Sequence, residues 1–262
     1  MDVLQRVTSY CRYLYKARSH QRIHSPFVFN FARKVLYDTT NYDGYHIIET
    51  RRQQLLQDHT EIAVTDLGAG AAKWGDRKRK ISDIAKTSLK RKKYAQLIYR
   101  IARHYQPKST LELGTSLGIT SAYIGQGYPG GQVFTIEGCP NIAQVARQTF
   151  ELTQTKNVRV FTGHFDKVLP EVLRESADFD IIFIDGNHAY EPTLRYFELC
   201  LSKAHNNTIF IFDDIHWSKD MEKAWKHIQD HPLVRITIDI YEMGLVFIRN
   251  ENKISEHFTI KY

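Results

Sequence analysis

The chain has 262 residues, 42% hydrophobic and 25% charged, which supplies a substantial core and argues against a disordered chain. Its net charge of +7 is concentrated between Lys73 and Arg103, which suits a nucleic acid, an anionic surface or an acidic substrate, and equally a plain soluble surface. The three cysteines, Cys11, Cys139 and Cys200, form no CxxC pair, which argues against a disulfide framework or a thiolate zinc site and fits a reducing, cytoplasmic compartment.

Residues 1 to about 60 read as mostly helical. Val3, Leu4, Val7, Tyr10, Cys11 and Leu14 recur at three- and four-residue spacing and predict an amphipathic helix. Charges run through this segment, so it lacks the apolar core of a signal peptide, and no apolar run in the chain reaches the ~20 residues that span a bilayer. His24-Ser25-Pro26 breaks the pattern, and Phe27, Val28, Phe29, Phe31, Val35 and Leu36 begin a second apolar face. Residues 38–46 read as a loop and Ile47–Gln57 as a short helix. Residues 66–93 start DLGAGAAKWGD and continue RKRKISDIAKTSLKRKK, which predicts an exposed loop and then a helix. Tyr94–Tyr105 predicts an amphipathic helix that stops before Pro107.

From Ser109 the rhythm changes. Strands are predicted at Thr110–Leu113, Gln132–Ile136, Val158–Thr162, Phe179–Ile184, Thr208–Phe212, Val234–Ile240 and Leu245–Arg249. Helices are predicted at Ile119–Gln126, Asn141–Gln154, Val168–Arg174, Pro192–Lys203 and Met221–His231. Five successive β-α units imply an α/β fold with a mostly parallel sheet. Only Tyr241–Gly244 separates the last two strands, so these should pair as an antiparallel hairpin at one edge. The expected organisation is a helical N-terminal extension or lid over residues 1–106, carrying the basic loop 66–93, and a core domain over 107–262.

Two motifs bear on a ligand. Glu112-Leu113-Gly114-Thr115-Ser116-Leu117-Gly118 follows an apolar strand and opens a helix. Gly114 permits a tight turn and close approach of backbone to ligand, and Gly118 permits close passage at the helix start. The helix N-terminus offers free N–H groups to a polar ligand, although an ordinary βα loop looks the same. Glu137 ends the next strand, in VFTIEGCP. An acid there can accept both ribose hydroxyls of a nucleoside, or it can sit solvated in the loop; its strand-end position favours ribose.

Taken together, ELGTSLG, TIEG, DFDIIFIDGNHAY and FIFDDIHW resemble the class I S-adenosylmethionine-dependent methyltransferases. The branch most similar is that of the catechol and caffeoyl-CoA O-methyltransferases and of small-molecule enzymes with an IDGxHxY sequence. The resemblance covers about residues 107–250. It implies a Rossmann-like seven-stranded sheet and S-adenosyl-L-methionine at the glycine turn, contacted by Glu112, Gly114, Thr115, Ser116, Gly118, Glu137 and Gly138. His164 and Phe165 would flank the adenine, with a plain turn as the alternative. Asp185 matches a donor-site residue and divalent-metal ligand of the catechol-type enzymes, and His188 falls where they carry a lysine base. A histidine can also take a hydroxyl proton, or it can be a loop residue bonded to the backbone. Asp213-Asp214 stands where the family pattern has Asp-Asn. Asp185, Asp213 and Asp214 together would make an oxygen site for Mg²⁺ or another divalent cation, unless Asp214 caps the following helix or pairs with a base.

The implied function is O-methylation of a small-molecule hydroxyl, without a membrane partner; RIHSPFVFNF reads either as a homodimer surface or as packing against the sheet. One alternative is a nucleic-acid or protein methyltransferase using the basic 73–93 segment; the absence of an Asn-Pro-Pro-Tyr-like sequence after the fourth strand counts against base-amine chemistry. Another is a non-catalytic methyltransferase-like binding module. A second glycine turn, Val64 to Gly70, is set aside as a donor site because no strand with a terminal acid follows it, and it reads instead as a lid hinge.

Overall fold

A computed structural model describes residues 3–19, 23–65 and 77–262. The glycine turn at 66–70 and the proposed lid loop through residue 76 lie outside the described residues. In chain order the elements are α1 (Val3–Lys16), α2 (Pro26–Phe31), α3 (Gly44–Gln57), β1 (Glu61–Val64), β2 (Arg77–Lys80), α4 (Ile81–Ser88) and α5 (Lys92–Tyr105). They continue with β3 (Ser109–Leu113), α6 (Ile119–Gly127), β4 (Gln132–Glu137), α7 (Pro140–Leu152), β5 (Val158–Thr162), α8 (Phe165–Val172), β6 (Ile181–Ile184) and α9 (Tyr190–Leu201). The last are β7 (Ile209–Asp213), α10 (Lys219–Gln229), β8 (Ile236–Asp239), β9 (Met243–Phe247) and β10 (Glu256–Thr259).

Every strand and helix expected after Ser109 forms, with ends shifted by a few residues. The strands from β3 onward belong to one mostly parallel sheet, which has eight strands where seven were expected. The extra one is β10, whose short Glu-His-Phe-Thr run carries too little apolar signal to announce a strand. It pairs parallel with β8, so the antiparallel β8–β9 hairpin forms as expected but is not the sheet edge.

The chain divides into two compact units, residues 38–177 and a terminal unit made of residues 1–37 and 178–262. Within residues 38–177, β3, β4 and β5 pair in parallel, with Glu112 opposite Thr135 and Glu137 opposite Thr162. β3 is buried along its whole length, as expected of a parallel strand covered on both faces. Tyr45, Ile48, Ile84, Tyr99, Tyr123 and Phe150 lie in one apolar core cluster. Gln106, in the left-handed region at φ +50, ends α5 just before Pro107. Residues 77–80, expected as loop, form β2 and pair antiparallel with β1. The run Arg-Lys-Arg-Lys has no strand periodicity, so backbone pairing and not side-chain pattern makes it a strand.

In the terminal unit the strand order is β10-β8-β9-β7-β6, with β9 antiparallel to both neighbours. α1 forms as predicted, but in its expected apolar stripe Val7, Tyr10, Cys11 and Leu14 are exposed. Among the described side chains of α1 the buried positions are Ser9 and Tyr13. Ser9 donates to Glu222 at 2.7 Å and the Tyr13 hydroxyl to the Ile260 carbonyl at 2.6 Å. Polar contacts to the C-terminal segment therefore choose the docking face.

Candidate functional site

The glycine turn lies in the 38–177 unit, between β3 and α6. Gly114 N–H and Thr115 N–H both donate to the Ile136 carbonyl, at 3.0 and 3.2 Å, tying the turn to β4. Gly114, Ser116 and Gly118 all have positive φ, at +107, +48 and +83. A Cβ on Gly118 would lie 2.9 Å from the Phe150 ring and 3.1 Å from the Ala146 backbone, so close packing against α7 also requires glycine there.

The predicted donor residues separate by exposure. Glu112 and Thr115 are buried. Glu112 accepts from Ser121 and, at 2.6 Å, from Thr135, whose hydroxyl also meets that of Thr115 at 2.6 Å. Glu112, Thr115 and Gly118 thus build the turn from behind. Gly114, Ser116, Glu137 and Gly138 are half-buried and form its open side.

Glu137 stands at the end of β4. One carboxylate oxygen accepts the Ser116 N–H at 2.8 Å and the other the Cys139 N–H at 2.9 Å. Burial pushes its carboxyl above the usual carboxylate range, against the Cys139, Ser116 and Gly138 amides, which favour the ionised form. Each oxygen keeps a further lone pair, so the group can still accept two hydroxyls. His164 is the N-cap of α8, its Nδ1 accepting the Asp166 N–H at 3.2 Å, and Phe165 begins that helix half-buried. The hairpin and α4 line the same region: Ser88 and Ser116 hydroxyls are 2.9 Å apart, and Asn141 Nδ2 donates to the Ala63 carbonyl at 2.8 Å. These hairpin contacts carry no signal in the sequence.

The acidic positions lie in the terminal unit. Asp185 follows β6 and Asp213 ends β7, where they can point off the strand ends. Asp185, His188 and Asp213 each offer a ligand atom within 4.8 Å of the others, a geometry that can hold a cation. His188 Nε2 is 3.7 Å from Asp185 Oδ1. Asp214, the third expected carboxylate, is outside that group; it has φ +52 and its N–H donates to the Glu242 carbonyl at 2.7 Å. Asn187, in the left-handed region at φ +56, shapes the loop and donates to the Tyr196 hydroxyl at 3.3 Å. Trp217 is exposed.

A further cluster sits on the same loop. His216 bridges Asp239 at 2.9 Å and Glu222 at 3.2 Å and stacks on Tyr241. Burial works against its charge, but the two carboxylates outweigh it and raise its pKa. Glu222 also binds Ser9 of α1 and lies 3.7 Å from Arg12. The motif FDDIHW contains His216, yet its partners, Glu222 of α10 and Asp239 of β8, lie outside the motif and could not be read from it.

Residues 111–215, less than half of the chain, match the model of a family described as a methyltransferase domain. No curated protein sequence matches the chain. Solved structures that resemble it include the O-methyltransferase TomG of Streptomyces achromogenes, in complex with S-adenosylmethionine, at 20% identity and TM-score 0.54 over 62% of this chain and 82% of that one. An O-methyltransferase of Bacillus cereus, in complex with S-adenosylhomocysteine, is 18% identical with TM-score 0.56, over 83% of this chain and 94% of that one. A Staphylococcus aureus structure assigned as a caffeoyl-CoA O-methyltransferase gives 18% and 0.56, over 64% and 88%. At such identities the likeness is one of fold. Among the described residues no helix is long and apolar enough to cross a membrane. Residues 111–215 match the model of a methyltransferase domain, in a chain whose fold is like that of solved O-methyltransferases.

Proposed function

We propose that the chain is an S-adenosylmethionine-dependent O-methyltransferase acting on a small-molecule hydroxyl. The observation that carries this reading is Glu137, half-buried at the end of β4 and aligned by two backbone amides beside a positive-φ glycine turn. Such a carboxylate suits a ribose diol, and the likeness to structures solved with S-adenosylmethionine and S-adenosylhomocysteine supports that nucleoside.

The sulfonium methyl is already activated, so the protein has to align the acceptor and take one proton. His188 is assigned as the base, with Asp185 beside it to orient the imidazole. The carboxylates of Asp185 and Asp213 are assigned as anionic ligands of a divalent cation, and their closeness to each other and to His188 fits one. When bound, the cation would polarise the acceptor oxygen and lower its pKa.

The test is methyl transfer from labelled donor to small hydroxyl acceptors, catechols included, before and after chelation. Transfer should fall on chelation and return with Mg²⁺ or Mn²⁺. Asp213→Asn should lower kcat about tenfold or more, and His188→Ala about a hundredfold. Transfer unaffected by chelation and by Asp213→Asn would remove the cation; donor binding without transfer to any acceptor would remove the enzymatic reading.

A further inference from the structure

The basic segment from Arg77 to Lys93 plays no part in the donor turn or the carboxylate cluster. It folds as β2, α4 and the start of α5, within the 38–177 unit. α4 buries Ile81, Ile84 and Ala85, so its charges turn outward. Lys78, Arg79, Lys80, Lys86, Arg91, Lys92 and Lys93 are exposed. The same stretch contains one acid, Asp83, 3.6 Å from Lys86. Glu61 faces Lys80 across the hairpin.

Two contacts put this surface beside the donor turn. Ser88 ends α4 and meets Ser116. Lys78 lies opposite Ala63, whose carbonyl is held by Asn141 just past Glu137.

The form of the charge selects the partner. The cations sit at both ends of an eight-residue helix, about 12 Å long at 1.5 Å per residue, a span no single phosphate can cover. A bilayer would need apolar side chains between the cations to enter the lipid, and none of the exposed large hydrophobic residues falls between 77 and 93. A protein interface would need aromatic or aliphatic anchors there too. A polymer of phosphates needs neither, because repeated charge contacts supply its affinity.

We propose that β2, α4 and the start of α5 form an RNA-binding surface that grips the phosphate backbone beside the donor turn. This goes beyond the methyl-transfer reading and stands apart from it, since it concerns binding and not the acceptor. The lack of an Asn-Pro-Pro-Tyr-like sequence bears on base-amine chemistry alone.

The test is fluorescence polarisation of a short labelled single-stranded RNA with the full chain. Binding should be tight at low ionic strength, and log affinity should fall with log salt by about 0.7 for each phosphate engaged. Lys78→Ala/Lys80→Ala and Lys92→Ala/Lys93→Ala should each weaken binding about tenfold. Lys156→Ala/Lys167→Ala removes the same charge elsewhere in the unit and should leave affinity unchanged. Circular dichroism and S-adenosylhomocysteine binding check that each variant is folded. No RNA binding at low salt would overturn the proposal. So would equal weakening by the Lys156/Lys167 control, which would reduce the effect to bulk charge, and so would binding to anionic vesicles without binding to RNA.

Discussion

Glu137 is held by two backbone amides in a setting that its own burial makes costly. Because its folded pKa is raised, this group's share of stability is full below the ordinary carboxylate range and is lost as pH rises through the folded value. Donor binding runs the other way, since two ribose hydroxyls need an acceptor-only carboxylate. Donor affinity should therefore be constant at neutral pH and fall as pH drops through a value above the usual glutamate range. Titration calorimetry across pH measures this, with Glu137→Gln as the reference that should not titrate. A wild-type affinity that stays flat until the ordinary carboxylate range would contradict it. The position of Glu137 was legible because an acid interrupts an apolar strand at its end. The role of Glu112 was less so. Its place in the motif suggests ligand contact, while its burial against Ser121 and Thr135 makes it a support for the turn. His216 was illegible, because Glu222 and Asp239 reach it only after folding.

Elements with an apolar period of their own were readable. The buried runs IIFI and IFIFD become β6 and β7, and the Gly118-initiated helix becomes α6. Elements made by pairing were not, as β2 and β10 show. α1 lies between these cases, its helix set by periodicity and its face set by Ser9 and Tyr13. Burial pushes the Tyr13 phenol well above its usual pKa, so it stays a neutral donor to Ile260. Tyr13→Phe would leave that buried carbonyl without this donor and should cost about 1–2 kcal/mol, with faster amide exchange in β10. Urea denaturation and hydrogen exchange measure the two effects. An unchanged midpoint and unchanged β10 protection would mean that α1 is docked by other contacts.

At the scale of the whole molecule, the α/β class followed from the alternation of strand and helix patterns. That the first 37 residues share a unit with residues 178–262 did not, because it depends on contacts such as Tyr37 with Lys261, more than two hundred residues apart. The functional account rests on the glycine turn and Glu137 forming a nucleoside site in the segment that matches the methyltransferase-domain model. Isothermal titration of the intact chain with S-adenosylhomocysteine tests this most directly. One-to-one binding is expected, weakened about tenfold or more in Glu137→Ala by the loss of charge-assisted hydrogen bonds. Absence of binding by the wild type, or equal affinity in the variant, would contradict the account.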